Sequence, residues 1–222
     1  MTVDPFWEDP AKVEEFAARA PDHRLRALVG AEVDVRRLCV LDLGCAGGRN
    51  AVFLAERGAD VVATDGSRAM VARTRERLAA LLGAGEAARR VCLGPMESLP
   101  WAGDASFDLV VALGIYHNAG SAAEWHAALA ETARVLKPGG RALVSVFTPE
   151  TDLEGQGKTP VPGVPHLYER PDGRRLYLVD PASLDRDMAS HGLDPLEPTT
   201  LAEGRVDIGR RVSANGLFRR RT

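Results

Sequence analysis

The sequence predicts one α/β domain, in which helices cover both faces of a mostly parallel β-sheet. The chain has 222 residues, 45 % of them hydrophobic and 27 % charged, which are the proportions of an ordinary globular protein. Short apolar runs typical of buried strands alternate with longer segments of helical periodicity. A glycine-rich turn joins the first of these runs to the helix that follows it. Such alternation favours a parallel sheet with helices packed on both sides.

Residues 1–36 form a leader with two predicted helices, one around Phe16 and one around Leu25. The first strand is residues 38–44, an apolar run that ends in glycine and is too short for a helix. A helix follows and ends at Gly58, since glycine is favoured just beyond the last turn of a helix.

Two more predicted strands lie on either side of a long helix. Residues 60–65 form the second strand, and residues 91–93 form a weak third one. Ser67 is placed to cap the helix between them, because a serine hydroxyl can accept a hydrogen bond from the first turn. The apolar stripe of this helix has three-to-four spacing and consists of Met70, Val71, Thr74, Leu78 and Leu81.

The fourth and fifth strands enclose another helix. Residues 107–113 form the fourth strand, and residues 121–124 (SAAE) have the pattern of a capping box. The helix that begins there is predicted to continue through Leu136. Proline and glycine in residues 137–140 (KPGG) end it, and residues 141–147 form the fifth strand.

Residues 148–178 are predicted to form a hairpin lid. Their first 26 positions hold five prolines and four glycines, and a connection of this length inside a domain is typically a lid or a binding loop. An Asp-Gly turn at residues 172–173 predicts a hairpin. With a two-residue turn, Tyr168 would pair with Tyr177 across the hairpin.

Residues 179–222 are predicted to form a final helix and antiparallel strands. Asp180 caps the helix, Pro181 occupies its first position and Gly192 lies beyond its end. Two antiparallel strands follow, the last one near residues 211–219.

Charge and cysteine usage exclude several classes of protein. With 28 Lys and Arg against 31 Asp and Glu, the net charge is −3, which disfavours a dedicated binder of nucleic acid or anionic membranes. Cys39, Cys45 and Cys92 show no C-x-x-C spacing, so no zinc or redox motif is indicated. There is no signal-peptide pattern, and no apolar run reaches the roughly 18 residues of a membrane span. We expect a cytoplasmic protein without a nucleic-acid or membrane partner.

The glycine-rich turn, residues 42–48 (DLGCAGG), is the first candidate binding site. Small residues let a backbone approach a ligand closely, and the helix N-terminus behind them offers free N–H groups. The dinucleotide pattern G-x-G-x-x-G counted from Gly44 would need glycine at Ala46 and Arg49, which weakens that assignment. Asp65 follows Gly44 by 21 positions, where an acid can accept hydrogen bonds from both ribose hydroxyls. Asp65 is alternatively an ordinary turn and cap residue.

Four motifs in order resemble the class I S-adenosylmethionine-dependent methyltransferases. Residues 40–50 (VLDLGCAGGRN) resemble the first motif, and residues 61–65 (VVATD) resemble the second. Residues 106–113 are similar to the fourth strand of that family, and residues 136–141 (LKPGGR) to the stretch before the fifth. The Gly-Arg-Asn ending is most similar to a small-molecule branch near the tellurite and thiopurine methyltransferases.

The resemblance implies a Rossmann-like sheet of seven mostly parallel strands with helices on both faces, an antiparallel C-terminal strand and a helical leader. Residues 1–222 would then be one domain. Within it, residues 1–36 are a leader or cap, residues 37–147 the cofactor-binding half, residues 148–178 the lid hairpin, and residues 179–222 the C-terminal helix and strands.

The resemblance also implies S-adenosylmethionine as the cofactor. Asp42 would stand near its amino group, Asp65 would hold its ribose, and Glu97 would border its adenine. Two positions depart from the family pattern, since Ala46 replaces the middle glycine and Pro95 replaces the aspartate usual after the third strand. The implied cofactor-binding residues are Asp42, Gly44, Cys45, Ala46, Arg49, Asn50, Asp65, Gly66, Ser67, Met70, Met96, Glu97, Ala112 and Leu113.

The implied reaction moves the methyl group to an oxygen, nitrogen or sulfur atom of a small-molecule acceptor and releases S-adenosylhomocysteine. His117 is the candidate general base, because histidine titrates near neutral pH; its alternative role is packing. Trp7, Tyr116, His117 and Tyr168 are the candidate substrate-binding residues. Trp7 and Phe6 would cover the cofactor or simply anchor the leader.

Other functions stay open beside this one. A non-catalytic S-adenosylmethionine-binding regulator would have the same motifs, and a nicotinamide-dependent oxidoreductase or a macromolecular acceptor is disfavoured. No metal is expected, because residues 113–114 are Leu-Gly where metal-dependent members of the family place an aspartate. Both a monomer and a homodimer are compatible with the sequence.

Overall fold

Strands and helices alternate along the middle of the chain, as predicted. The computed structural model describes residues 5–31, 34–153, 157–206 and 209–222. Its helices are α1 (Pro5–Glu8), α2 (Pro10–Ala18), α3 (His23–Ala31), α4 (Arg49–Glu56), α5 (Arg68–Leu82), α6 (Ala84–Arg90), α7 (Ala122–Val135) and α8 (Pro181–Ser190). Its strands are β1 (Cys39–Leu43), β2 (Asp60–Asp65), β3 (Val91–Leu93), β4 (Phe107–Leu113), β5 (Leu136–Phe147), β6 (Asp152–Leu153), β7 (Thr159–Pro160), β8 (Leu167–Glu169), β9 (Arg175–Tyr177), β10 (Leu193–Pro195), β11 (Thr200–Val206) and β12 (Gly209–Arg220). No helix among these residues is long and apolar enough to cross a membrane.

The main sheet has the strand order β10-β12-β5-β4-β1-β2-β3. The pairs from β5 to β3 are parallel, whereas β12 runs antiparallel to β5. This path confirms the predicted seven-stranded, mostly parallel sheet with an antiparallel C-terminal strand. Two further strands, β6 and β11, also pair with β12, so the sheet has nine strands in all. The chain direction across the sheet reverses between β1 and β4, and ligands of open α/β sheets bind at the carboxyl ends of strands beside such a switch point.

The sheet is buried on both faces, because successive residues of a strand point to opposite sides. In β4, Val110 and Ala112 face one core, and Leu109 and Val111 face the other. The α7-side core also contains Trp125, Leu129, Leu184 and Met188. The leader-side core also contains Leu25, Phe53, Leu54, Val71 and Leu78.

Helix α5 begins as predicted and ends differently. The Ser67 hydroxyl accepts a hydrogen bond from the Met70 amide at 3.1 Å, which confirms the cap. The apolar stripe is buried as far as Leu78, but Leu81 is 47 % exposed, so its predicted core position is wrong. The sheet ends at β3, whose three residues are too few to cover the last turn of α5. Helix α6, which follows directly, has no counterpart in the sequence prediction.

The junction of α7 and β5 also departs from its prediction. The Ser121 hydroxyl accepts from the Glu124 amide at 3.1 Å, as a capping serine does, while the Glu124 carboxylate accepts from Gly120. Helix α7 ends at Val135, and Leu136 already pairs with Phe107 of β4. The segment expected to be a helix stop is therefore the first part of the strand, with an irregularity in the ladder before Arg141.

The lid hairpin exists, but its register is shifted by one residue. Tyr168 pairs with Leu176, and Leu167 pairs with Tyr177, so the predicted pairing of the two tyrosines is wrong. Arg170 donates its amide to the Arg174 carbonyl, which leaves a three-residue loop that ends in Gly173 at φ +81°. A glycine with positive φ at the end of a three-residue loop is a common hairpin geometry. Strand β7 joins β8 to complete a small three-stranded sheet.

The C-terminal segment has the predicted helix and three antiparallel strands where two were predicted. Asp180 caps α8 through a hydrogen bond from the Ser183 amide at 2.8 Å, and Gly192 lies beyond the helix with φ +78°. The last strand, β12, contains the predicted residues 211–219, and β10 and β11 both pair with it in antiparallel fashion.

Candidate functional site

The glycine-rich turn follows β1 at the carboxyl edge of the sheet. The amides of Gly44 and Cys45 both donate to the Thr64 carbonyl at 2.9 Å, which ties the turn to β2. Gly44 has φ +75°, and a Cβ added there would lie 2.7 Å from the Cβ of Ile115. Only glycine fits this position, because both the backbone conformation and the contact exclude a side chain. Ala46 adopts φ +48°, so the residue that replaces the family glycine keeps a left-handed backbone.

Asp65 connects the end of β2 to this turn. One carboxylate oxygen accepts from the Ala46 amide at 2.8 Å, and the other accepts from the Ser67 amide at 2.9 Å. Burial raises the pKa of Asp65, and the amides of Ser67, Ala46 and Gly66 act in the opposite direction. Each carboxylate oxygen has a second lone pair, so Asp65 can hold the turn and still accept hydrogen bonds from a ligand.

Asp42 is a buried carboxyl beneath the turn. It is 1 % exposed, and its Oδ2 atom has no hydrogen-bond partner. Burial raises its pKa to about 7, although the positive charge of Arg49 and an N–H of Ala51 oppose this. A buried oxygen that lacks a partner costs free energy, and a cationic ligand group would satisfy it. Asp42 therefore fits the amino group of the implied cofactor.

Two more unpartnered polar atoms lie in β2 and in the segment after β3. Thr64 Oγ1 and Trp101 Nε1 are buried without a hydrogen-bond partner. Both lie beside Gly94, since a Cβ added there would be 3.7 Å from Trp101 Nε1 and 3.9 Å from Thr64 Oγ1. Sequence reasoning did not single out either residue, although Thr64 directly precedes the predicted acid Asp65. Met96 is buried nearby in the α7-side core.

The leader packs beside Asp65. The backbone carbonyl of Trp7 accepts from the Ser67 hydroxyl at 2.8 Å. The carboxylate of Glu8 accepts from the Arg68 and Ala69 amides at 2.9 and 3.2 Å, and so caps the N-terminus of α5. The indole of Trp7 makes an edge contact with the ring of Phe16, 5.2 Å between centroids. The leader is therefore anchored next to Asp65, as one of the two roles expected of Trp7 requires, and the role of Trp7 in covering the cofactor stays a prediction.

Helix α2 lies directly on the glycine-rich turn. A Cβ added to Gly47 would lie 2.6 Å from the Cβ of Ala17. The Arg77 guanidinium donates to the carbonyls of Ala17 and Gly47 at 2.9 and 2.7 Å, so it bridges helix and turn. The Arg49 guanidinium donates to the Ala20 carbonyl at 3.1 Å, and the Asn50 side chain accepts from the Asp22 amide at 3.0 Å. Two residues predicted to bind the cofactor thus hold the leader.

Several other predicted cofactor residues have buried side chains. Cys45 Sγ lies 3.5 Å from the Thr74 hydroxyl, and burial raises the pKa of this thiol. Met70 and Ala112 are fully buried. Leu113 and Glu97 are partly exposed.

His117 does not have the environment of a general base. It is 5 % exposed, its ring stacks on Phe147 with centroids 4.0 Å apart, and its Nδ1 accepts from the Phe147 amide at 3.3 Å. Burial lowers its pKa to about 3, with a smaller contribution from the charge of Arg211. A neutral ring that accepts at Nδ1 carries its proton on Nε2. This burial and the lowered pKa disfavour proton transfer by His117, whose role as a base stays a prediction.

Tyr116 is a core residue rather than a pocket wall. Its side chain is fully buried, and its hydroxyl lies 2.5 Å from the Thr132 hydroxyl of α7. Burial also raises its pKa. The side chain points into the α7-side core, which disfavours the substrate contact of Tyr116, and that contact stays a prediction. Tyr168 is half-buried on β8, and its role stays a prediction.

The described residues contain no group of three or more His, Cys, Asp or Glu side chains that could hold a metal ion. Two cavities of about 720 and 480 Å³ lie near the start of β1, and the smaller one also borders the starts of β4 and β5. Both are remote from the glycine-rich turn at the carboxyl edge. The candidate site is consequently defined by the turn, its acids and its unpartnered polar atoms.

Residues 40–140 match the profile of a family described as a methyltransferase domain. These 101 residues of the chain are thus similar to that family. The match includes three of the four motifs completely and confirms the resemblance that they indicated. It also agrees with the sheet topology and with the glycine-rich turn at the end of β1.

Two curated relatives are similar over part of their length. The chain is 35 % identical over 140 residues to a biotin biosynthesis bifunctional protein of Cellvibrio japonicus, covering 61 % of this chain and 24 % of the relative. It is 39 % identical over 110 residues to a demethylmenaquinone methyltransferase of Beutenbergia cavernae, covering 49 % of this chain and 40 % of the relative. The chain thus spans less than half the length of either relative.

A solved structure shares the fold over nearly the whole chain. It is the 1,6-didemethyltoxoflavin-N1-methyltransferase of Burkholderia thailandensis, crystallised with 1,6-didemethyltoxoflavin and S-adenosylhomocysteine. The TM-score is 0.65 at 23 % identity, covering 97 % of this chain and 81 % of the other. This similarity confirms the Rossmann-like fold.

Proposed function

We propose that the chain is an S-adenosylmethionine-dependent methyltransferase, which transfers a methyl group to a small-molecule acceptor and releases S-adenosylhomocysteine. The observation that carries the proposal is the buried Oδ2 atom of Asp42, which has no hydrogen-bond partner. It lies at the glycine-rich turn, where only glycine fits at position 44. A small acceptor is supported by the toxoflavin methyltransferase, which was crystallised with a small molecule.

Different residues at the carboxyl edge bind different parts of the cofactor. Asp42, when ionised, pairs with the amino group, and Asp65 accepts hydrogen bonds from the ribose hydroxyls through its free lone pairs. Trp101 and Thr64 offer a donor and a hydroxyl on the side of β3, where the adenine is expected. These assignments satisfy three buried polar atoms that are otherwise without partners.

The cofactor supplies a methyl group on a positively charged sulfur, which is already a good leaving group. When bound, it would offer this methyl carbon to a lone pair of the acceptor, and the electron pair of the broken carbon–sulfur bond would return to sulfur. Alignment of the two reactants therefore supplies most of the rate. Because burial lowers the pKa of His117, the proposal routes no proton through this ring, and the acceptor presents a free lone pair at the working pH.

The division of the domain into functional segments belongs to the same proposal. Residues 1–36 cap the cofactor, as supported by the contacts of Trp7 and Glu8 with the start of α5. Residues 148–178 close the acceptor side, as supported by the packing of β9 against the turn Tyr116–Asn118.

Calorimetry on the full chain tests the proposed function. We expect S-adenosylhomocysteine to bind and NAD to show no binding. Asp65→Ala should weaken S-adenosylhomocysteine binding at least tenfold. Asp60→Ala, at the opposite end of β2, should leave it unchanged. Tight binding of NAD, or no binding of S-adenosylhomocysteine, would overturn the proposal.

Turnover separates an enzyme from a regulator on the same fold. Release of S-adenosylhomocysteine should be measured with a panel of small oxygen, nitrogen and sulfur acceptors. Binding of the cofactor without turnover across that panel would favour the non-catalytic regulator.

A further inference from the structure

A row of polar side chains on β12 lies beside the proposed site. Alternate residues of a strand share one face, so Arg211, Ser213 and Asn215 point the same way. They share the face of Leu217, which packs on the leader-side core, whereas Ala214 and Phe218 lie in the α7-side core.

The register of the sheet places this row at the level of the reacting groups. Leu113, at the end of β4, pairs with Ser145 of β5, and Ser145 pairs with Asn215. Neighbouring strands are about 4.8 Å apart, so Asn215 lies about 10 Å from the end of β4. Ser213 pairs with Phe147, on whose ring His117 stacks. A small acceptor aligned at the end of β4 would therefore extend toward the row.

Asn215 holds a free hydrogen-bond acceptor in this position. It is 9 % exposed, and its Nδ2 donates to the backbone carbonyl and the hydroxyl of Ser213 at 3.1 and 3.3 Å. A carbonyl can only accept, so these contacts determine the orientation of the amide. Its Oδ1 is consequently the buried atom without a partner, and it requires an N–H or O–H donor.

Arg211 provides an unpaired positive charge at the outer end of the row. It is exposed, and in the part of the chain that the structure describes it has no ion pair. Its charge acts on groups near the candidate site, since it contributes to the lowered pKa values of His117 and Arg49. Arg210, the adjacent residue, points to the other face and pairs with Glu203 at 2.7 Å. The charge of Arg211 is thus available to a ligand.

We propose that Arg211, Ser213 and Asn215 recognise the methyl acceptor, and that this acceptor carries an anionic carboxylate or phosphate group. The anion pairs with Arg211, and an N–H or O–H of the same molecule donates to Asn215. An arginine fork matches either anion by two parallel hydrogen bonds. This inference rests on the proposed function, because only a methyltransferase has a methyl acceptor.

The test uses the full chain saturated with S-adenosylhomocysteine. Calorimetry compares two series of charged probes with uncharged counterparts. Hydroxybenzoates are compared with hydroxybenzamides, and hydroxyphenyl phosphates with methoxyphenols, in which a methyl ether replaces the phosphate. We expect at least one carboxylate or phosphate to bind tenfold or more tightly than its counterpart. Arg211→Gln should abolish that preference, and the matched control Arg210→Gln should keep it. The two probe series distinguish a carboxylate from a phosphate.

Three results would overturn the inference: equal binding of charged and uncharged probes, no binding of any probe, or a preference that survives Arg211→Gln. Asn215→Leu adds a second readout, a loss of probe affinity with S-adenosylhomocysteine affinity unchanged. If that variant fails to fold, the comparison of Arg211→Gln with Arg210→Gln still tests the inference, because both residues are exposed. Failure of S-adenosylhomocysteine itself to bind would count against the proposed function instead.

Discussion

Three buried oxygen atoms without hydrogen-bond partners, in the part of the chain that the structure describes, belong to Asp42, Thr64 and Asn215. All three lie toward the carboxyl edge of the main sheet. Leaving such a group unsatisfied costs about 1–3 kcal/mol, and native proteins keep few of them. Their common location indicates that this edge is built for a polar ligand rather than for maximal stability.

Asp42 should make cofactor binding dependent on pH. Its pKa of about 7 means that it is largely protonated below neutrality in the free protein. A cationic amino group favours the carboxylate, so binding must release that proton. We expect S-adenosylhomocysteine affinity measured by calorimetry to rise from pH 5 to 7, by at most about tenfold per pH unit, and to level off above 7.

Two variants check the assignment to Asp42. Asp42→Asn should bind more weakly and show no such dependence, whereas Asp60→Asn should behave as the wild type. An unchanged pH profile in Asp42→Asn would contradict the assignment.

His117 should lower stability in acid rather than titrate during catalysis. Its folded pKa of about 3 is below the unfolded value near 6.5. The unfolded chain therefore binds more protons between these values, so the His117 contribution to stability is lost as pH falls from 6.5 toward 3. We expect this loss, up to about 1.4 kcal/mol per pH unit, to be absent in His117→Phe when denaturant unfolding is followed.

The NMR signal of the His117 ring gives an independent readout. It should not shift between pH 8 and 4.5, and an inflection near 6.5 would show that the ring is not desolvated. His23→Gln, at an exposed position of α3, is the control and should leave the acid stability unchanged.

At the scale of elements, the leader and the glycine-rich turn form one unit. Helix α2 contacts Gly47 with no room for a side chain, and Arg77 binds both carbonyls across the contact. Glu8 caps α5 from the other side of Asp65. The position and order of the turn should therefore depend on the leader.

Gly47→Ala should separate α2 from the turn. The added Cβ would lie 2.6 Å from the Cβ of Ala17 and 2.7 Å from its Cα, so the helix backbone must move. Overpacking of this kind costs about 1–3 kcal/mol. We expect faster amide hydrogen exchange in Pro10–Ala18 and at least tenfold weaker binding of S-adenosylhomocysteine.

The control for this variant is Gly204→Ala, where an added Cβ meets nothing within 4 Å. It should leave exchange in α2 and binding as in the wild type. If α2 stays protected in Gly47→Ala, the close contact does not hold the leader in place.

At the scale of the whole molecule, the candidate site lies at the carboxyl edge of the central sheet. The strands β1, β2, β4, β5 and β12 each contribute residues to one edge, and the leader packs beside it at Ser67. A ligand bound there touches groups that are far apart in sequence. Binding should consequently stabilise the domain as a whole.

Thermal unfolding should report this coupling. At a concentration 100 times its dissociation constant, a ligand specific for the folded state adds about 2.7 kcal/mol. For a chain of this size, that corresponds to a rise in Tm of about 5–11 °C. We expect this shift with S-adenosylhomocysteine, none with NAD, and a smaller shift in Asp65→Ala. A shift confined to NAD would contradict the proposed cofactor.

The sequence by itself determined the alternation of strands and helices, the helix caps at Ser67 and Asp180, and the glycine-rich turn followed by Asp65. These features were predictable because they depend on local interactions. A cap bonds within three residues, and hydrophobic periodicity shows within a single element. The order of the motifs then indicated the family.

Only the tertiary structure decided which of the predicted side chains are free to act. His117 and Tyr116 are buried against Phe147 and Thr132, which lie 30 and 16 residues away. Their residue types alone therefore gave no sign of this burial. The importance of Asn215 emerged only from strand pairing, which places it beside β5. Local signals determine an element, but burial and charge at a site are set by neighbours that the fold brings from distant parts of the chain.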